Sequence, residues 1–366
     1  MRPGPCLVVL VLVLALSGTA QSRPLGSPSV RTAGGALTVE GRPYFPVFSW
    51  AACPQDVDRD LAVGVNVFMH HGENCGGEQG LLDELGLRAY YLPGLDSPLT
   101  LAGDDPRLFG YVQPDEPDGH GIGPEQLRTA PGHALFMTLT TYFVHSLPRY
   151  RDPGAQALYR DYRSKADMFG VAVYPLSHLC GLTGLEAVYE VQRDLVSFAG
   201  TRPTFQWLET GGLEGGCGAP VTPAAVAAEV WLSIAGGARG LGWFTYAWPD
   251  GRAESFHVDP EIADEMARQT ARIQHLAPVL LAPVVRVGSH HGDPVKLGGR
   301  TRGGRTYLIA ANSVDVGIAW ERGALPGLMN QRVSVVGEQR TLRADHGILR
   351  DRFDPLGVHI YAYVPR

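Results

Sequence analysis

The sequence predicts an α/β chain: a (β/α)8 barrel followed by a small C-terminal antiparallel β-sandwich. Three observations carry this expectation. Apolar strand-like runs alternate with helical or loop stretches eight times, over about 230 residues, close to the ~250 typical of such barrels. No GxGxxG follows the first strand and no GxxxxGK[ST] occurs, so the doubly wound nucleotide-binding alternative has no support. From about Pro283 the pattern changes to short β-rich runs separated by Gly- and Asp-rich turns.

Composition agrees with a large folded chain. Of 366 residues, 45% are hydrophobic and 19% charged, too apolar for a disordered chain. The 46 Gly and 28 Pro fall in no repeat period, which excludes collagen-like and low-complexity readings. The net charge of −6 offers no footprint for nucleic acid or an anionic membrane.

The organisation reads as follows. Residues 1–20 form a signal peptide: Arg2, the apolar run Cys6 to Leu16, then small residues ending at Ala20. The apolar run is too short to span a bilayer, and no other segment reaches that length, so no membrane association is expected after cleavage. Residues 21–35 are a linker, 36–280 the barrel and 281–366 the β-sandwich, read as a domain that packs on the barrel. Removing Cys6 leaves Cys53, Cys75, Cys180 and Cys217 in an oxidising compartment, and proximity favours Cys53–Cys75 and Cys180–Cys217.

A hairpin, Leu37–Val39 with Arg42–Phe45, leads into the barrel. The eight expected strands are Phe45–Trp50, Val65–Met69, Leu87–Leu92, Leu108–Gln113, Ala134–Thr140, Phe169–Tyr174, Thr204–Leu208 and Gly240–Tyr246. Helices are expected at Gln55–Val63, Glu78–Leu85, Ala155–Lys165, Gly184–Ala199, Pro223–Ala235 and Pro260–Leu276. The third connection reads as a loop and the fourth as one or two turns at Pro124–Thr129.

In such a barrel a reactive side chain just after a strand marks the functional face. Glu116 follows the fourth strand in Gln113-Pro114-Asp115-Glu116-Pro117, and Glu209 ends the seventh in Gln206-Trp207-Leu208-Glu209. Strands four and seven face one another across the ring, so the two carboxyls can meet over the mouth. Such a pair supplies one proton donor and one nucleophile. Each has a plain alternative: Glu116 as a solvated loop carboxylate, and Glu209 as a surface residue, with Glu214 in the nucleophile's place.

A glutamate followed by Pro after strand four, partnered by a glutamate ending strand seven, resembles the clan of retaining (β/α)8 glycoside hydrolases with catalytic glutamates on those strands. The opening LTVEGRPYFPVFSW, Val173-Tyr174-Pro175 and the aromatic GLGWFTY at strand eight look like corresponding segments of that clan. The resemblance covers about residues 36–280 and implies a secreted glycoside hydrolase without cofactor, Glu116 as acid/base and Glu209 as nucleophile. Its alternatives are a transglycosylase using the same residues and a non-catalytic carbohydrate-binding barrel. Many members carry Asn where this chain has Asp115. An ionised Asp accepts a sugar-hydroxyl hydrogen bond but cannot donate one, and its charge raises the pKa of Glu116.

Sugar rings stack on aromatic planes, which makes Trp50, Tyr174, Trp207, Trp243, Tyr246 and Trp248 candidate substrate contacts, with Tyr174 placed to hydrogen-bond the nucleophile. His70 and His71 after strand two are candidate sugar-hydroxyl contacts. No histidine or cysteine spacing matches a metal motif and no GxSxG occurs, so no metal is expected.

Overall fold

The computed structural model describes residues 26–72, 75–97, 101, 103–144, 156–178, 184–211, 220–247, 254–287 and 292–366. A three-stranded antiparallel meander, β1 (Val30–Ala33), β2 (Ala36–Val39) and β3 (Arg42–Tyr44), precedes the barrel. Strand β1 occupies part of the stretch read as a linker, which is corrected accordingly. Val30, Leu37 and Val39 pack into the barrel's interior cluster, so the meander plugs its lower end.

Eight parallel strands follow: β4 (Val47–Ala52), β5 (Val67–His71), β6 (Tyr90–Leu92), β7 (Tyr111–Val112), β8 (Leu135–Leu139), β9 (Met168–Ala172), β10 (Thr204–Glu209) and β11 (Gly240–Phe244). Their order, β6-β5-β4-β11-β10-β9-β8-β7, runs round the ring, and the bridges Tyr91–Leu108 and Gly94–Val112 join β6 to β7. The fold is a (β/α)8 barrel. The third and fourth strands are shorter than the apolar runs suggested. Leu87 is exposed on the exit from the preceding helix, and Gly110, at φ +153°, brings the chain so close to Ala134 that a Cβ there would lie 2.3 Å from its carbonyl oxygen.

Among the described residues six helices pack outside: α1 (Val57–Ala62), α2 (Gly77–Leu85), α3 (Gln156–Tyr162), α4 (Glu186–Ala199), α5 (Pro223–Gly236) and α6 (Pro260–Leu280). Among the described residues no helix lies between β6 and β7, and a single 3-10 turn at Pro124–Gln126 serves the next connection. The period-two alternation of the strands divides the core. Phe48, Phe136, Phe205 and Trp207 fill the interior, while Val47, Leu208 and Trp243 face the helices. Gly242 makes room for Trp207, since a Cβ there would meet the indole at 2.1 Å.

Helix α5 is capped by Thr222, whose hydroxyl accepts from Ala225 N at 3.2 Å, with Pro223 at its first position. Apart from Glu229 and Ser233 its sequence is apolar all round, which suits a helix buried on both sides. One side meets the barrel and the other meets β13 (Val295–Arg302) and β14 (Arg305–Asn312) of the C-terminal domain. That domain pairs a six-stranded antiparallel sheet with a two-stranded one. The larger sheet holds β12 (Val284–Val285), β13, β14, β16 (Arg332–Val335), β17 (Arg340–Arg343) and β19 (Val358–Tyr363). The smaller holds β15 (Ile318–Arg322) and β18 (Leu349–Phe353), and Leu297, Tyr361, Trp320 and Phe353 pack between the two. The β-rich runs of the sequence here are Val284–Val287, Val295–Leu297, Thr306–Ala310, Val316–Trp320, Val333–Val335 and Val358–Val364; β17 and β18 have no counterpart among them, because RTLR and LRDRF put charges on their solvated faces. Among the described residues no helix is long and apolar enough to cross a membrane.

Candidate active site

The chain from β7 turns into the mouth through Gln113, which is fully buried and donates from Nε2 to the carbonyls of Arg128 and Lys165, both at 2.9 Å. Glu116 then adopts φ +39°, unusual for a side-chain-bearing residue. Its carbonyl accepts from Gly119 N at 2.9 Å and His120 N at 3.1 Å, closing a turn. Beyond it, Asp118 accepts from the amide and hydroxyl of Thr140, past the end of β8, and from the Tyr159 hydroxyl of α3. Glu116 is therefore held from both sides, half-buried, with the exposed Asp115 beside it. Burial, and next the charges of Asp115 and Asp118, push its carboxyl up to about 7.

Glu209 ends β10 and is 1% exposed. Leu176 N donates to Oε1 at 2.9 Å, and Ser177 N (2.8 Å) and Ser177 Oγ donate to Oε2. Both donor residues lie in the segment after β9, so one carboxylate orients the neighbouring loop. Tyr174, two residues past β9, stands between the strand ends. Its ring lies 5.4 Å from that of Phe244 at the end of β11. Burial pushes its phenol above the usual range, and the negative charges of Glu116, Asp115, Glu209 and Glu229 push it further. Carboxyls from β7, β10 and α5 thus converge on one tyrosine.

Glu229 is the site residue the sequence reading missed. It is fully buried and interacts with Glu209 at the end of β10. Burial first, and then Glu209, raise its pKa well above the carboxylate range. The signal was present in the sequence, since Glu229 is the one charge in PAAVAAEVWLSIAG.

Other candidates divide by orientation. Trp50 lies at the top of the interior, edge-on to Trp207 at 5.8 Å and to His70 at 4.8 Å. His70 adopts φ +58°, and burial, then His71, lower its pKa to about 4, leaving a neutral ring whose Nε2 has no partner among the described residues. His71 beside it is half-buried. Two expectations are corrected. Trp243 is fully buried and faces the helices, because alternation gives the interior to Gly242. Trp207 is 2% exposed and donates from Nε1 to Thr138 Oγ1 at 3.0 Å, so it packs within the barrel core rather than forming a cleft wall. Tyr246, past β11, is buried. Trp248, Glu214 and the Cys180–Cys217 pair fall outside the described residues.

The Cys53–Cys75 disulfide joins the end of β4 to the segment before α2. Among the described residues no group of three or more His, Cys, Asp or Glu is arranged to hold a metal ion.

No protein-family model and no curated protein sequence matches the chain. Solved structures do resemble it. An alpha-amylase from Geobacillus thermoleovorans, complexed with acarbose, aligns at TM-score 0.56 and 13% identity over 87% of this chain and 98% of that one. AmyP in complex with maltose aligns at TM-score 0.56 and 8% identity over 88% and 97%. The isomaltulose synthase PalI from Klebsiella sp. LX3 aligns at TM-score 0.52 and 8% identity over 87% and 98%. At such identities the likeness is one of fold: this chain folds as these carbohydrate-active proteins do.

Proposed function

We propose that the protein is a secreted glycoside hydrolase acting on an oligo- or polysaccharide by a retaining double displacement. The observation that carries this reading is the convergence of Glu116, Glu209 and Tyr174 at the carboxyl ends of β7, β10 and β9, with the two glutamates in unlike surroundings. Glu116, pushed up to about 7, keeps a proton to give near neutral pH. Glu209 faces two amides and a hydroxyl, a donor set suited to an anion.

In the first step Glu209 attacks the anomeric carbon while Glu116 protonates the departing oxygen, giving a glycosyl-enzyme. In the second, Glu116 takes a proton from water, which attacks the same carbon and releases Glu209. Trp50 and Tyr174 supply apolar faces for sugar rings. The amylase and AmyP structures were obtained with acarbose and maltose, which supports a carbohydrate ligand here. The Cys53–Cys75 disulfide supports an oxidising destination, in keeping with the signal peptide read at residues 1–20.

One observation favours a second reading, a non-catalytic carbohydrate-binding barrel: Glu209 is 1% exposed. The two separate when the mature protein is screened on aryl glycosides and on plant, microbial and host polysaccharides beside Glu116→Gln and Glu209→Gln. Hydrolysis lost in both variants supports the enzyme, hydrolysis unchanged in both removes the assigned pair, and saturable binding without turnover selects the second reading. The mass of the exported protein tests cleavage near Ala20.

A further inference from the structure

At the amino ends of the strands, opposite Glu116 and Glu209, a groove of about 770 Å³ runs between the barrel and the C-terminal domain. It is bordered by the segments entering β10 and β11, the β1–β2 turn and strands β12 and β13. Arg193, Arg202, Arg239, Arg286 and Arg300 line it, and its described lining contains no aspartate or glutamate. That is a concentrated positive surface on a chain whose net charge is −6.

The arginine donors are incompletely used. Arg239, 5% exposed, gives Nη1 to the carbonyls of Leu280 and Ala282 and has no acceptor for Nε or Nη2 among the described residues. Arg300, 1% exposed, gives Nε, Nη1 and Nη2 one carbonyl each, those of Leu280, Gly299 and Ile234. A guanidinium carries five N–H donors, so two remain. Those carbonyls belong largely to the last turns of α5 and α6, so the two buried arginines also fasten helix ends. Helix-end carbonyls carry only partial charge, and no ion pair among the described residues neutralises Arg202, Arg239, Arg286 or Arg300. Burial lowers the pKa of Arg239 to about 10; burial, then the charge of Arg239, lowers that of Arg300 to about 9.

We propose that this groove binds a small polyanion carrying two or more carboxylate or phosphate groups. The volume lies within the range of small-molecule sites and far exceeds one ion. The forked donors suit planar or tetrahedral oxyanions, and Val285, Val287 and Leu297 give the ligand's carbon skeleton apolar contact. The site is independent of hydrolysis at the mouth.

Titration calorimetry at about 0.15 M salt, with citrate and pyrophosphate as carboxylate and phosphate probes and glucose as the uncharged control, tests the proposal. Saturable 1:1 binding of either anion is expected, with no glucose signal. The double variant Arg202→Ala/Arg286→Ala removes two guanidiniums without touching the buried pair and should weaken binding about tenfold or more. Arg332→Ala/Arg343→Ala removes equal charge from the exposed β16–β17 edge and should leave it unchanged. No saturable binding of either anion, or equal weakening by both double variants, overturns the proposal.

Discussion

The two ends of the barrel are built from the same strands and differ in sign and in strain. At the carboxyl end, Ala51, His70 and Glu116 hold positive φ angles of +51°, +58° and +39° despite their side chains. At the amino end, the groove's left-handed positions, Gly34, Gly35, Gly200 and Gly237, are all glycine. A non-glycine residue in that region costs of order 1–3 kcal/mol, so the chain meets its turns at low cost below and accepts strain above. The upper end gathers carboxyls and the lower end guanidiniums. Strain held where carboxyls converge is a mark of chemistry, and relaxed turns where helix ends are fastened are a mark of stability.

The largest test of this contrast is at the upper end. Glu209→Gln should reduce turnover by at least about a thousandfold and Glu116→Gln by about 10²–10⁴, with unfolding midpoints little changed. Activity that survives both would break the contrast. Next comes Cys53–Cys75, which closes a segment with a sequence separation of 22 residues. Cys53→Ser/Cys75→Ser should cost about 3 kcal/mol in denaturant unfolding, and an unchanged midpoint would show the mouth held without the cross-link.

Gly237→Ala tests the lower end. Gly237 ends α5 at φ +121°, and a Cβ would sit 2.8 Å from the Val196 side chain. A loss of about 1–3 kcal/mol in unfolding free energy is expected, with kcat/KM unaltered; lost activity at unchanged stability would erase the division of labour. The smallest effect concerns pH. Glu116 must be protonated to act as acid, so kcat/KM should fall as pH rises through about 7. Asp115→Asn removes a negative neighbour, favours ionisation of Glu116, and should move that falling limb acidward by less than about one pH unit. A limb that stays in place would remove Asp115 from the local field.

Much of the upper end was legible in the sequence and little of the lower. Glu209 stood out because it ends an aromatic strand, and Glu116 because prolines bracket its turn after a strand. Trp243 was misassigned because strand placement alone does not give facing; the informative residue was its neighbour Gly242, the small partner that Trp207 requires. Glu229 lies 20 residues beyond Glu209, on a helix, and only the packing of α5 against β10 brings the two together. The arginine groove joins positions from Arg193 to Arg300 by tertiary packing, with no local pattern to reveal it. Strands β17 and β18 hid behind charged solvent faces.

The cradle around Glu209 has a consequence for engineering. Two of its three donors, Leu176 N and Ser177 N, are main-chain groups present whatever side chain follows them. Position 176 is therefore open to a wide library, provided the replacement is not proline. Ser177→Ala removes one hydroxyl donor and leaves both amides. A directed-evolution campaign could diversify this rim of the mouth without dismantling the carboxylate beneath it.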